Sequence, residues 1–248
     1  MKKLFVTVVS VLSCLSVGAQ TMNVHKTDGT VLRFLADEVE YVDFSEKSEA
    51  TPPVNVKAVD IGLDVKWANM NVGAENPEDY GDYFAWGETA PKTEFTWKNY
   101  KWSEGTYDSI TKYGTVEVYG VDDHILTLEP EDDAATVNWG KEWRMPTEEE
   151  VTALLSYCQW ETDTLNGVTG FKVTGRNGNS IFLPFVGWYG DLGWEGKGEF
   201  GHYWSASILE DYCFFGRDLY FSPYMQGMDY GKFRCFGQCI RPVLNESK

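Results

Sequence analysis

Two cysteines near the end of the chain, Cys235 and Cys239, have the residue type and the close spacing that thiol chemistry requires. A thiol pair can act as a nucleophile or as a redox couple. The three histidines, His25, His124 and His202, are widely separated in the sequence, so they supply a zinc cage or a nucleophile–base pair poorly. The sequence therefore favours a protein without catalytic activity. An enzyme ranks third among the functions that are compared at the end of this section.

The same cysteines have a possible structural role. In an exported protein, four cysteines could form two disulfides in three connectivities, and free thiols are equally compatible with the sequence. Direct pairing of Cys235 with Cys239 is disfavoured because an extended strand would separate them by about 13 Å. The four are Cys158, Cys213, Cys235 and Cys239.

Carboxylates provide the only other candidate for metal chemistry. An acidic segment around residues 122–133 offers the hard oxygen ligands that calcium prefers, but it lacks the spacing of an EF-hand loop. Asp132 and Asp133 are the candidate calcium ligands, and capping of a loop by the same two side chains is the alternative. The prediction is that no cofactor is bound.

Aromatic residues are concentrated in the last third of the chain. Between Phe182 and Phe236, 17 of 55 residues are Phe, Tyr or Trp. Tyrosine and tryptophan make rigid, amphipathic contact surfaces, although any one of them could equally fill the core. Those near glycine-rich loops are the predicted ligand-binding residues: Trp188, Tyr189, Trp194, Tyr212, Tyr224 and Tyr230.

The charge of the chain limits its partners. The formal net charge is −17, with 38 acidic and 21 basic residues. Such a surface repels nucleic acids and anionic lipids, so neither is expected as a partner.

Export is predicted by the first residues. Lys2 and Lys3 precede an apolar run, and small residues precede Gln20, which is typical of a cleaved signal peptide over residues 1–19. Cleavage after Ala19 is favoured over lipidation at Cys14, whose preceding residues only loosely match a lipobox. The mature protein is expected to be secreted or located on the outer surface.

The exported part divides into a small module and a large domain. Asp28-Gly29 between two apolar runs predicts a β-hairpin in residues 20–44, with a third short strand near Tyr41. Residues 45–55 contain a Pro-Pro pair without apolar periodicity and are predicted to be a linker. Residues 56–248 form the main domain.

One helix and several strands are predicted in the main domain. Thr147 and Glu150 have capping-box spacing, and Val151, Leu154, Leu155 and Cys158 follow on one face. Asn177-Gly178 predicts a hairpin between strands at 168–174 and 180–185, and further strands are expected at 201–208, 213–221 and 233–243. The predicted class is α+β, weighted towards β-structure.

Several sequence blocks occur in an order that resembles a known family. They include Gly81-Asp82-Tyr83-Phe84-Ala85-Trp86-Gly87-Glu88, Trp143-Arg144-Met145-Pro146-Thr147, Tyr203-Trp204-Ser205 and Ile240-Arg241-Pro242-Val243. The chain resembles the Fibrobacter succinogenes major paralogous domain over residues 57–244. That family is similar to the C-type lectin-like superfamily, in its formylglycine-generating-enzyme branch. The resemblance implies a C-type lectin-like domain and an extracellular setting, but it transfers no catalytic residues.

The shared blocks are interpreted as structural framework. Trp143 and Met145 are expected to pack, Arg144 to bridge carboxylates, and Pro146-Thr147 to begin the helix. The framework residues singled out are Trp143, Arg144, Pro146, Thr147, Tyr203, Trp204 and Arg241.

The function predicted from these observations is non-catalytic binding. Aromatic loops of a secreted or surface protein would be displayed to a glycan or protein ligand. The alternative is a structural or adhesin subunit of a surface assembly, in which residues 22–44 pair with a neighbouring sheet edge. The third is an enzyme of the formylglycine-generating type.

Overall fold

The structure is a computed structural model that describes residues 21–25, 31–35, 50–190, 193–228 and 231–244. The chain divides into two compact units, Met1–Ser48 and Glu49–Lys248. The predicted signal peptide, the alternative lipidation site, the third short strand and the beginning of the linker lie outside the described residues.

The first unit contains the predicted hairpin. Strand β1 (Thr21–His25) pairs antiparallel with β2 (Val31–Leu35), and Asn23 lies opposite Arg33. The antiparallel pairing of the two predicted strands is therefore confirmed, and the Asp28-Gly29 turn lies outside the described residues.

The second unit combines two α-helices with antiparallel sheets. The helices are α1 (Ala134–Trp139) and α2 (Glu148–Tyr157). The strands are β3 (Ala58–Val59), β4 (Trp67–Ala68), β5 (Trp143–Arg144), β6 (Gln159–Leu165), β7 (Val168–Thr174), β8 (Ser180–Pro184), β9 (Trp188–Gly190), β10 (Gly193–Glu195), β11 (Gly201–Ile208), β12 (Phe215–Ser222), β13 (Met225–Met228), β14 (Lys232–Phe233) and β15 (Val243–Leu244). The predicted α+β class, weighted towards β-structure, is confirmed.

Three sheets organise this unit. One has the order β3-β4-β15-β5, so that strands from both ends of the unit meet in it. A second is the meander β6-β7-β8. The third has the order β11-β12-β13, with β14 also paired to β12, while β9 and β10 form a separate two-stranded ribbon. Among the described residues, no helix is long and apolar enough to cross a bilayer.

The meander is built on turns that its sequence specifies. The strands around Asn177-Gly178 form β7 and β8 as predicted, and Gly178 has a φ of +86°. Strand β6 was not predicted, although Asn166-Gly167 links it to β7 with φ values of +48° and +87°. Two positive φ values in a two-residue turn match the right-handed twist of the flanking strands.

Two predicted strands have different boundaries in the structure. Strand β12 begins at Phe215 rather than residue 213, because Glu210–Tyr212 form a 3-10 helix. Segment 233–243 was predicted as one strand and is not one. Its middle residues make single bridges to different partners, including Gln238 to Phe84 and Cys239 to Tyr203. This segment passes through the interior instead of following one neighbouring strand.

Helix α2 begins at the predicted capping box. The Thr147 hydroxyl accepts from the Glu150 amide at 3.3 Å, and the Glu150 carboxylate accepts from the Thr147 amide at 2.9 Å. Arg144 donates to both oxygens of the same carboxylate at 2.7 and 2.6 Å. Val151 and Leu154 are buried, while Leu155 and Cys158 are partly buried on the predicted face.

Removing the cap is expected to destabilise the protein moderately. Thr147→Ala should lower the free energy of unfolding by about 1 kcal/mol, because the Glu150 amide loses its acceptor. Thr152→Ala is the matched control: Thr152 is exposed within α2, and alanine is the better helix former. Urea denaturation measures both variants, and equal losses would contradict a specific role of the cap.

Candidate functional site

A cavity of 490 Å³ lies where the third sheet meets the ribbon. Its walls mix aromatic rings with polar groups and methionines. We call it the His202 cavity; its lining residues are Trp188, Phe200, His202, Tyr220, Met225, Gly227, Met228 and Lys232.

A buried histidine–carboxylate pair belongs to this cavity. His202 is 2% exposed and Asp218 is fully buried, and His202 Nδ1 lies 2.6 Å from Asp218 Oδ2. The register explains the contact, since His202 lies opposite Tyr220 and Asp218 lies opposite Trp204 on adjacent antiparallel strands. Residues two apart on one strand share a face, so the histidine reaches the carboxylate diagonally.

The pair defines the hydrogen-bonding character of the imidazole. An ionised carboxylate only accepts hydrogen bonds, so Nδ1 is the donor towards Asp218. In the neutral imidazole, Nε2 is then an acceptor. Asp218 Oδ1 is buried and accepts no hydrogen bond from the described residues. A buried carboxylate with one oxygen unsatisfied lowers the stability of the fold. Such a group is more typical of functional sites than of residues that only support the fold.

Aromatic rings surround the imidazole. Its centroid lies 4.9 Å from Tyr220, 5.5 Å from Phe200 and 6.4 Å from Trp188. Trp188 packs against Phe236 at 4.9 Å, and the Lys232 ammonium lies 5.2 Å from the Trp188 ring. These neighbours hold the rings in fixed positions around a cavity that also has polar groups.

The predicted ligand-binding aromatics are distributed over separate surfaces. Trp188 lines the His202 cavity. Tyr189 and Trp194 stack at 5.5 Å with an interplanar angle of 5°, and Lys197 Nζ lies 3.8 Å from the Trp194 ring. Tyr224, in the turn between β12 and β13, is 95% exposed. Tyr230 lies outside the described residues.

Tyr212 belongs to a different surface. It lines an apolar cleft of 430 Å³, which we call the aromatic cleft. The residues of the cleft are Tyr107, Leu209, Tyr212, Phe214, Phe215 and Phe233. Sequence position alone grouped Tyr212 with Trp188, but the two line different pockets.

The predicted framework residues are buried or form hydrogen bonds within the framework. Trp143 is buried, and the Pro146 carbonyl accepts from the Ala206 amide at 2.7 Å. Tyr203 and Trp204 donate to the carbonyls of Pro184 and Phe84 at 2.8 and 2.9 Å. Arg241 donates to Asn71 Oδ1 at 2.8 Å.

The candidate calcium ligands have other partners. Asp132 accepts from Lys101 Nζ at 2.9 Å, from Lys112 Nζ at 2.7 Å and from the Tyr113 hydroxyl at 2.7 Å. Asp133 accepts from the amides of Thr136 and Met145, and so caps α1. Two ammonium groups on Asp132 disfavour a third cation there. Among the described residues, no group of three or more potential metal-ligating side chains is present.

Asp132 is expected to contribute stability that depends on pH. Burial alone would raise its pKa, but hydrogen bonds from Lys112, Lys101 and Tyr113 outweigh burial and lower it. A lowered carboxyl pKa stabilises the fold above the unfolded-state pKa, and this stabilisation disappears as the pH falls through the folded-state value.

Asp132→Asn should therefore lower the free energy of unfolding at pH 7 by about 2 kcal/mol, with a smaller loss in acid. Glu131→Gln is the control because the neighbouring Glu131 is exposed. Urea denaturation at pH 7 and pH 3 measures the difference. A loss for Asp132→Asn that does not change with pH would contradict the ion-pair explanation.

Cys239 has surroundings that do not favour a reactive thiolate. Cys158, Cys213 and Cys239 have free thiols, and Cys235 is fully buried. Cys239 donates to the Tyr80 carbonyl at 3.1 Å, and burial raises the pKa of its thiol well above the ordinary range. Cys235 and Cys239 belong to different clusters of the core.

The residue that sequence reasoning missed is His202, together with Asp218. The only sequence signal for them was a polar residue at the start of one strand and another within the next strand.

No family model, no curated protein and no solved structure matches this chain.

Proposed function

We propose that the protein is a non-catalytic, exported binding protein that takes up a glycan in the His202 cavity. The observation that carries the proposal is the buried His202–Asp218 pair at an aromatic-walled cavity. In its neutral form, the imidazole of this pair would offer Nε2 as an acceptor. We propose further that the second unit is a C-type lectin-like domain, as its sequence blocks suggest.

The chemistry of the cavity suits a sugar ring. A pyranose has apolar C–H faces, which pack on aromatic rings, and hydroxyl groups, which both donate and accept. Trp188, Phe200 and Tyr220 supply the rings. His202 Nε2 would accept from a hydroxyl, and the Lys232 ammonium would donate to an oxygen. Walls that combine both properties fit a sugar better than a purely apolar ligand.

Binding is favoured over catalysis at this cavity. A histidine–aspartate pair acts in acyl transfer by activating a serine or cysteine, and glycoside hydrolysis requires a second carboxyl group. The lining residues that the structure describes include no serine, cysteine or carboxylate. The pair is therefore assigned to orienting a ligand.

The test is a glycan array probed with the purified protein, followed by calorimetric titration with the best free oligosaccharide. The proposal expects saturable binding with one site per chain. A folded protein that binds no arrayed glycan would overturn it.

A structural subunit is the second candidate because of the hairpin in the first unit. Within the described residues, β1 and β2 form a two-stranded sheet, and β2 exposes Val31, Phe34 and Leu35. An edge with unpaired backbone groups can pair with a strand of another chain. Deleting residues 20–46 separates the candidates: glycan binding should survive the deletion, whereas assembly through the hairpin would be lost.

A further inference from the structure

The aromatic cleft is a second concave surface, separate from the His202 cavity. Phe214 lies at its centre, with ring centroids 5.4 Å from Tyr107, 5.9 Å from Tyr212 and 4.6 Å from Phe215. Tyr107 is 47% exposed and Tyr212 is 49% exposed, so two large rings border the opening. Tyrosine hydroxyls are the only polar side-chain groups among the lining residues. An open and almost wholly apolar cleft is typical of surfaces that receive a large apolar side chain.

Exposed carboxylates lie beside this cleft. Asp108 follows Tyr107 in the chain, and Glu210 and Asp211 lie between the lining residues Leu209 and Tyr212. Glu117 belongs to the same 3-10 helix as Tyr119, whose ring lies 4.7 Å from Phe214. All four carboxylate residues are exposed, and none forms an ion pair within the described parts of the chain.

Among the described residues that are adjacent in sequence to a lining residue of the cleft, the basic ones are next to Phe233. Lys98 follows Trp97, whose ring lies 5.8 Å from Phe233, and is exposed. Lys232 precedes Phe233 but lines the His202 cavity, and Arg234 is buried. The side of the cleft bordered by Tyr107 and Tyr212 is therefore acidic.

We propose that the aromatic cleft binds a basic peptide segment, inserting one bulky apolar side chain flanked by lysine or arginine. The apolar walls would desolvate the inserted side chain, and the acidic border would attract the flanking cations. A second copy of this chain is a poorer occupant because each copy has a net charge of −17. A sugar is also poorer, since the two tyrosine hydroxyls are too few partners for its own hydroxyl groups.

The probe is the peptide acetyl-Lys-Lys-Trp-Lys-Lys-amide, titrated into the isotope-labelled protein at low salt and followed by NMR. Matched peptides replace all four lysines with glutamate, or the tryptophan with glycine. We expect saturable shifts of Tyr107 and of residues 209–215 with the first peptide, and affinity at least ten-fold weaker for both others. Raising the salt concentration should weaken binding of the first peptide.

Protein variants test the two parts of the surface separately. Tyr212→Ala should weaken peptide binding at least five-fold, and Glu210→Gln with Asp211→Asn about three-fold. Tyr224→Ala is the control, because Tyr224 is the more exposed tyrosine and does not line the cleft. Thermal unfolding of each variant verifies the fold.

Three results would overturn the proposal. The first is the absence of shifts at the cleft up to millimolar peptide. The second is equal binding of the lysine and glutamate peptides. The third is a concentration-dependent dimer that Tyr212→Ala dissociates, which would assign the cleft to a second copy. Glycan binding at the His202 cavity is unaffected by Tyr212→Ala if the two sites are independent, so failure here and failure of the glycan proposal are distinguishable.

Discussion

Arg234→Ala is expected to destabilise the protein by about 4 kcal/mol, enough to unfold many domains of this size. Arg234 is fully buried. Its guanidinium donates to the Tyr100 hydroxyl at 2.9 Å and to the carbonyls of Tyr113, Cys213 and Lys112 at 3.1, 3.0 and 2.9 Å. The same group lies 4.7 Å from the centre of the Trp86 ring.

The loss is large because several effects act together. Alanine would leave two buried carbonyls and one partly buried carbonyl without donors. Each unsatisfied buried group costs about 1–3 kcal/mol. It would also leave a cavity between aromatic rings, whose packing contributes further. Arg234 connects the final segment to loops more than one hundred residues earlier, so these losses affect the second unit as a whole.

Arg176→Ala is the matched control. Arg176 is exposed and its guanidinium lies 4.8 Å from the Tyr157 ring, a surface contact worth about 0.5–1 kcal/mol. Both variants are compared by urea denaturation and by thermal unfolding. A loss below about 1 kcal/mol for Arg234→Ala would contradict the role assigned to its hydrogen bonds.

His202→Phe is expected to cost about 3–5 kcal/mol, because it removes the partner of a fully buried carboxylate. Replacing both members by apolar residues removes the buried charge. His202→Phe combined with Asp218→Leu should therefore recover most of the lost stability.

The double variant also tests the glycan proposal, because it is expected to fold while lacking the imidazole acceptor. Affinity for the glycan should fall at least ten-fold, which corresponds to about 1.4 kcal/mol. His124→Asn is the control: the His124 side chain is 72% exposed, and asparagine tolerates its φ of +52°. Calorimetric titration measures affinity, and urea denaturation measures stability.

Two outcomes would contradict this account. If the double variant is no more stable than His202→Phe alone, the buried carboxylate is not the cause of the loss. If the folded double variant binds the glycan with unchanged affinity, the His202 cavity is not the binding site.

Features that depend on a few consecutive residues could be predicted from the sequence. The capping box at Thr147, the Asn177-Gly178 turn and the hairpin β1–β2 are all present. Their geometry depends on interactions within about four residues, which a linear pattern contains. The overlooked β6 belongs to the same class, since the Asn166-Gly167 turn was a readable signal.

Features that depend on strand register could not be predicted. His202 and Asp218 lie 16 residues apart and meet only because β11 and β12 pair in one particular alignment. A shift of one residue would place them on opposite faces of the sheet. Arg234 was not singled out either, because its partners Lys112 and Tyr113 are more than 120 residues away.

The sequence by itself determined the β-weighted class, the start of the main helix, the turns and the enrichment of aromatics near the C-terminus. Only the tertiary structure decided which aromatics share a surface, separating Trp188 from Tyr212, and which polar residues meet inside. The physical reason is that composition and short-range hydrogen bonds are local properties of the chain. The neighbours of a side chain across a sheet depend on how distant strands align, which no single segment specifies.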